Sequence, residues 1–148
     1  MSLQNLLKIG QLKEHETDAE ETGRLLLAAQ RGLADARVKE ISPETRFEAA
    51  YRAITQVGLV MLMVHGFRPD TNRPGHHMTI IQTLTLTLGI TNERVVVLDT
   101  LRRKRNLVDY TGEDIDDASI AAAITEGQRL LDEARSWIMR HRPELGAD

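Results

Sequence analysis

The sequence predicts an all-α protein, an up-and-down antiparallel bundle of about four to five helices. Apolar residues recur at helical spacing through several long segments. Aromatic residues make up only 3% of the chain, so the core must be aliphatic, and the remaining composition favours helices. Short connections separate the segments, which makes neighbouring helices antiparallel. A chain of 148 residues is enough for one core, and we expect a single domain over residues 1–148.

The first 41 residues predict an N-terminal segment followed by a long helix. Residues 1–16 contain three leucines ahead of Gly10, which indicates an N-terminal arm or a short amphipathic helix. Thr17 with Glu20 forms a capping-box pattern, and apolar residues at helical spacing follow it. We expect this helix to end near Ile41.

The next segment predicts a second long helix. Ser42 is a good N-cap and Pro43 fits the first helical turn, so the helix begins there. His65 and Gly66 mark its end, because glycine commonly adopts the left-handed conformation that terminates a helix. Two prolines and a glycine in residues 67–75 predict a loop.

Residues 79–98 allow two interpretations. Polar and apolar residues alternate over 83–88 and a β-branched run follows, a pattern typical of a β-hairpin. The helical alternative has one apolar face, a terminating Gly89, and Thr91 or Asn92 as the next N-cap. We favour two helices, because the second segment continues without a breaker for longer than a strand usually does.

The C-terminal part predicts one more helix. The sequence TGEDIDD reads as a loop, and Asp116 or Asp117 can cap the helix that follows. Its apolar stripe continues to a point just before Pro143.

Composition excludes several classes of function. The formal net charge is -3, so a general nucleic-acid-coating protein is excluded and any basic site must be local. The absence of cysteine excludes disulfides, thiolate metal sites and a cysteine nucleophile. Phosphate-loop, dinucleotide and nucleophile-elbow motifs are absent, and we expect no cofactor. The N-terminus does not resemble a signal peptide and the apolar run GLVMLMV is too short to span a bilayer, which predicts a cytoplasmic protein without a membrane segment.

The stretch LRRKRNLVDY, residues 101–110, contains four consecutive cationic residues. On a helix with ~100° between residues these cations point in different directions. Arg105 falls within the apolar arc formed by Val97, Leu98, Leu101 and Val108, while Arg103 and Lys104 point to solvent. The flank of the arc carries three further polar residues: Arg102, Asn106 and Asp109.

Two interpretations of Arg105 are open. In the first, the helix forms ordinary i,i+4 ion pairs, Asp99 with Arg103 and Arg105 with Asp109. In the second, Arg105 lines a pocket or a subunit interface, because an unpaired charge on a buried face is costly.

Two histidines begin the helix that precedes this stretch. If the two helices form an antiparallel hairpin, counting about 13 to 15 residues from the turn places His76 and His77 beside Arg105, Asn106 and Asp109. The preceding loop would bring Arg73 to the same end, and His65 would also lie close. Adjacent histidines point apart on a helix and no HExxH pattern is present, so we expect no metal site.

Three segments, RFEAAYRAI, RPGHH and LRRKRNLVDY, together resemble the HEPN domain family, in particular small bacterial stand-alone members with an RN..DY element. The likeness covers roughly residues 18–140. It implies a helical bundle that forms a homodimer along the helices bearing the motif. Many members are metal-independent endoribonucleases of toxin–antitoxin and defence systems, with an arginine followed four to six residues later by a histidine.

Arg105 matches the motif arginine, but the histidine is missing and Tyr110 stands five residues after Arg105, within the motif spacing. The resemblance therefore implies a catalytic set of Arg105, His77 and Tyr110, in which His77 substitutes for the motif histidine. The matching binding set is Arg102, Asn106, Asp109, His76 and Arg73.

Three functions follow as hypotheses. The leading hypothesis is a degenerate, non-catalytic dimer that binds RNA, a nucleotide or a partner protein such as a nucleotidyltransferase, toxin or antitoxin at the Arg105 and His77 end. The alternatives are an active endoribonuclease with a rearranged histidine, and a structural dimeric adaptor or antitoxin with Arg105 paired across the interface.

Overall fold

The computed structural model describes residues 1–146 and is mostly helical, which confirms the all-α class. In chain order the elements are α1 (Leu3–Lys8), β1 (Leu12–Glu14), α2 (Ala19–Ala36), α3 (Pro43–Val64), β2 (Phe67–Pro69), α4 (His76–Gln82), α5 (Leu84–Thr87), α6 (Asn92–Thr111), α7 (Asp117–His141) and a 3₁₀ turn (Pro143–Leu145). The family-specific bundle arrangement stays a prediction.

Helix α3 is the centre of the fold. Its predicted start is confirmed, since the Ser42 hydroxyl accepts a hydrogen bond from the Thr45 amide and Pro43 occupies the first turn. The helix packs against both α2 and α7 and is buried along most of its length. By length and composition alone α3 could span a membrane, but 67% of its apolar window is buried inside the protein. Such burial is compatible with the core helix of a soluble protein.

A two-stranded antiparallel sheet joins the N-terminal segment to the chain after α3, and the sequence did not predict it. Strands β1 and β2 pair Leu12 with Pro69 and Glu14 with Phe67. The N-terminal segment is thus a short helix followed by a strand, and the first residues of the predicted loop are a strand. Leu12 and Phe67 pack with Leu62 and Ile80 in a small apolar cluster, which favours the pairing.

Helix α2 begins and ends differently from the prediction. Its N-cap is Asp18, whose side chain accepts a hydrogen bond from the Glu21 amide, and not Thr17. The Thr17 hydroxyl donates instead to the Glu21 carboxylate at 2.7 Å. The helix ends at Ala36, five residues before the predicted boundary at Ile41.

Residues 79–98 form helices joined by a turn and contain no strand, so the β-hairpin alternative is wrong. Gly89 adopts a left-handed conformation with φ 74°, and Thr91 caps α6 by accepting from the Arg94 amide. The first of the two predicted helices is interrupted at Thr83, which separates α4 from α5. The Thr83 hydroxyl donates to the Thr79 carbonyl at 2.8 Å, a contact that commonly bends helices.

Helix α6 packs against the rest of the bundle through a narrow apolar face of its own. Leu98 and Leu101 are its buried residues, whereas Val97, predicted to face the core, is 41% exposed. Arg94 fixes the start of α6 to α7 through two hydrogen bonds to the Glu133 carboxylate, at 2.7 and 2.9 Å, and an ion pair with Glu126. The predicted cap of α7 is confirmed at Asp116.

Gly58 sets the distance between α3 and α4. A methyl group at this position would lie 2.5 Å from Cγ2 of Ile80 and 3.3 Å from the Ile80 carbonyl oxygen. Real side chains do not approach so closely, so α4 can lie against α3 only because residue 58 has no side chain. The position of His76 and His77, which begin α4, therefore depends on Gly58.

We predict that Gly58→Ala lowers the free energy of unfolding by about 1 to 3 kcal/mol, because the added methyl overpacks a buried contact. Gly23→Ala is the matched control, since nothing lies within 4 Å of its would-be methyl. The control should stabilise α2 by about 0.5–1 kcal/mol. Urea unfolding followed by circular dichroism measures both, and equal stabilisation by the two changes would contradict the close approach.

Candidate functional site

The first turn of α4 and the second half of α6 enclose a cavity of about 390 Å³. Its walls carry two histidines, two arginines and an asparagine, and the full set is Gly75, His76, His77, Met78, Arg102, Arg105 and Asn106. We call this the basic cleft. The proximity of His76 and His77 to Arg105 and Asn106, predicted from a helical hairpin, is confirmed.

Arg105 is held at the edge of the core by α3. Its Nε donates to the Glu48 carboxylate at 3.1 Å, and its guanidinium lies 5.4 Å from the centre of the Tyr51 ring. Burial alone would lower the pKa of Arg105, but the hydrogen bond and the charge of Glu48 raise it, so the guanidinium stays charged. The predicted ion pair with Asp109 is wrong, because Glu48 is the partner within reach of the inward face of α6.

Arg102 is anchored in the same way. Its Nε donates to the Asp99 carboxylate at 2.9 Å, and Asp99 also pairs with Arg103 at 3.0 Å, as predicted. An arginine has five N–H donors in a fixed fork. Within residues 1–146, Arg102 and Arg105 each use only Nε in a hydrogen bond, which leaves their terminal N–H groups for a ligand.

Between α3 and α4 the ring of a buried tyrosine lies near the ring of a histidine. Tyr51 is 1% exposed, and its ring centre lies 6.1 Å from that of His77. Burial raises the pKa of Tyr51 to about 12, against the opposing effect of Arg105. Its hydroxyl has no hydrogen-bond partner in the part of the chain that the structure describes.

His77 is a neutral imidazole at neutral pH. Burial lowers its pKa below the usual 6.5, and the nearby charges of His76 and Arg105 lower it further. A neutral ring has one donor and one acceptor nitrogen. His77 can therefore accept a proton from a ligand or donate a hydrogen bond to it.

Three predicted site residues lie outside the basic cleft. Tyr110 is 90% exposed, because it follows Arg105 by about 140° around the helix and so faces solvent. Arg73 donates to the Ile9 carbonyl at 3.4 Å and contacts the N-terminal segment instead. Asp109 lines a separate cavity of about 330 Å³ with Glu48 and Arg105, on the other side of that arginine.

His65 was also expected near this end, and it is not. Its ring packs against Trp137 at 4.7 Å, and its Nδ1 is hydrogen-bonded to the Met61 carbonyl. The reason is that His65 closes α3 on the side facing α7, whereas α4 lies on the side of Gly58.

Sequence reasoning missed two residues that shape the site. Glu48 and Tyr51 lie one turn apart on α3, inside the segment RFEAAYRAI. By sequence pattern alone Tyr51 falls in the apolar stripe of the helix, and Glu48 borders that stripe. An acidic residue bordering the apolar face of a core helix was the available signal, since such a carboxylate needs a cationic partner.

Among residues 1–146, no group of three or more histidine, aspartate and glutamate side chains is placed to hold a metal ion. The rings of His76 and His77 contact each other edge to face at 4.7 Å. The chemistry of the basic cleft is therefore that of cations, an amide and imidazoles.

Comparisons with protein-family models, curated proteins and solved structures find no match to this chain. The HEPN resemblance and the roles of the site residues stay predictions.

We predict that His77 titrates below pH 6.5 in the folded protein and near 6.5 in the urea-unfolded chain. Below 6.5 the unfolded state then binds more protons, so the contribution of His77 to the free energy of unfolding falls as pH drops through the folded pKa. Proton NMR of the imidazole C–H groups measures both midpoints, with His77→Gln assigning the signal. A folded midpoint at or above 6.5 would contradict the burial argument.

Proposed function

We propose that this protein binds a phosphate-bearing ligand, a nucleotide or a unit of RNA, in the basic cleft and does so without catalysis. One observation carries the proposal: Arg102 and Arg105 enter one cavity with their Nε atoms anchored and their terminal N–H groups unused. Guanidinium forks of this kind match the geometry of phosphate oxygens. Asn106 and the two histidines add further donors around the same space.

The anchoring carboxylates limit what the cleft attracts. Asp99 and Glu48 offset the charges of the two arginines, and the whole chain has a net charge of -3. A long nucleic-acid backbone is bound by many cations. The basic cleft is therefore suited to one phosphate group held by hydrogen bonds, and we propose a local contact instead of a continuous RNA track.

We predict that Arg105→Gln weakens binding of sulfate, a phosphate mimic that does not titrate, by about tenfold or more. Arg103→Gln is the matched control, because it removes the same charge from a side chain that is 76% exposed. The NMR signal of His77 reports binding, and bound sulfate should raise the His77 pKa. Equal affinity of the two variants would refute the assignment of Arg105 as the anion-binding group.

Glu48 supplies a second variant for the same experiment. Glu48→Gln keeps the shape of the side chain and removes the carboxylate that competes for Arg105. It should tighten sulfate binding if Arg105 contacts the anion, whereas a purely structural ion pair would lose stability without any gain in affinity.

We propose that the protein forms a homodimer, as the resemblance implies. Exposed apolar side chains on the outer face of α6 support this. Val96, Leu107 and Tyr110 are 64%, 44% and 90% exposed. At ~100° per residue the three side chains lie within about 60° of one another, on one side of the helix. A second copy, or a partner protein of a toxin–antitoxin or defence system, would cover this face, and the dimer stays a proposal.

A second candidate function is metal-independent RNA cleavage. It is favoured because a neutral His77 and Arg105 line the same cavity. His77 would take the proton of a ribose 2′-hydroxyl, whose oxygen attacks the adjacent phosphorus. Arg105 would stabilise the charge on the phosphorane, and His76 would protonate the departing 5′ oxygen. Tyr110, fully out of the cleft, has no part in this version of the chemistry.

Incubation of the purified protein with mixed RNA in EDTA tests the second candidate. If it is correct, cleavage is lost in His77→Ala and persists in His141→Ala, whose ring is stacked on Trp137 and lies outside the cleft. Intact RNA at high protein concentration would exclude it and leave the binding function.

A further inference from the structure

The two histidines of α4 also line a second cavity. This cavity, of about 350 Å³, lies between α3, the segment after β2 and α4, and shares His76 and His77 with the basic cleft. We infer that the second cavity holds the base of a nucleotide whose phosphate lies in the basic cleft. This inference rests on the proposed function and names the ligand that the cleft takes.

The walls of the second cavity differ from those of the basic cleft. Most of their exposed surface is apolar, with Leu59 and Met63 from α3, Ile80 from α4 and Pro69 from β2. A phosphate gains nothing from such walls, whereas a flat aromatic ring gains from burial of its faces. The imidazole of His76 or His77, at the boundary of the cavities, adds a surface on which a base can stack.

The rim of the second cavity carries unused polar groups. Gln56, Arg68 and Thr71 line it, and none of the three makes a side-chain hydrogen bond or ion pair with the described residues. An apolar pocket with a few polar groups at its edge is the usual form of a small-molecule site. The edge of a base offers the donors and acceptors that an amide, a guanidinium and a hydroxyl can contact.

The sizes of the cavities support one small ligand across both. Each lies near the lower end of the range for ligand pockets, which is about 300–1,000 Å³. Their common wall of His76 and His77 makes them neighbours, and only one of them has the arginine pair. A nucleotide has the same division into an anionic part and a flat, mostly apolar part.

Isothermal titration calorimetry of the full-length protein with four probes tests the inference. The probes are sulfate, ribose 5-phosphate, nucleoside 5′-monophosphates and a short oligoribonucleotide. We expect a monophosphate to bind about tenfold more tightly than ribose 5-phosphate, because the base adds stacking and burial. The oligoribonucleotide shows whether the ligand is a free nucleotide or a nucleotide unit within RNA. If it binds more tightly than the monophosphate, the ligand is RNA, and if it binds more weakly, the ligand is the free nucleotide.

Thr71→Trp should cancel the gain from the base, because an indole at this exposed position of the cavity fills the space. Sulfate affinity should stay unchanged, since Thr71 does not line the basic cleft. The matched control is Thr125→Trp, which makes the same substitution at an exposed residue of α7 that lines neither cavity. Gln56→Ala, at a partly exposed site, serves as a second variant that removes only a polar contact.

The outcomes separate this inference from the proposed function. Binding of sulfate with no further gain from the base, or a gain that Thr71→Trp leaves intact, overturns the base-binding cavity and keeps the phosphate site. Failure of sulfate and of every other probe to bind overturns the phosphate site itself. A gain from the base that disappears in Thr71→Trp and persists in Thr125→Trp supports the two-part site.

Discussion

The burial of α3 is the constraint on which the rest of the structure depends. A helix whose side chains are covered on nearly every face must be surrounded, and α2, α7, α4 and the β1–β2 sheet supply the cover. At Gly58 the missing side chain lets α4 lie directly against α3. Since α4 begins with the histidine pair, packing of the core also fixes where the imidazoles stand.

The same helix controls the charges of the basic cleft. Glu48 and Tyr51 project from successive turns of α3, and one holds the Arg105 guanidinium while the other lies beneath it. An arginine at the edge of a core needs such a partner, because an uncompensated charge there would destabilise the fold. The pairing uses Nε of the guanidinium, and the proposed binding role would use the terminal N–H groups. The surrounding burial and positive charge keep His77 neutral.

Parts of the site that depend on contacts between residues close in the chain could be predicted, and parts that depend on distant segments could not. The caps at Ser42 and Asp116, the glycine end at Gly89, and the hairpin that brings His77 to Arg105 all follow from local pattern and helix length. The helical register already places Tyr110 on a different face from Arg105. The motif spacing of the family, which put Tyr110 in the site, was wrong about its position. Contacts between distant segments escaped prediction, because many carboxylates could reach Arg105 and only packing selects Glu48.

The sequence by itself determined the helical class, most of the helix ends and the division of the cationic run into inward and outward residues. These are consequences of periodicity, capping and backbone preference within a few residues of each position. Only the tertiary structure decided the β1–β2 pairing, the withdrawal of Arg73 to the N-terminal segment, and the second cavity beside the histidines. Each of these depends on contacts between side chains that are far apart in the chain and pack around α3. Local sequence pattern does not specify which of these distant side chains contact one another.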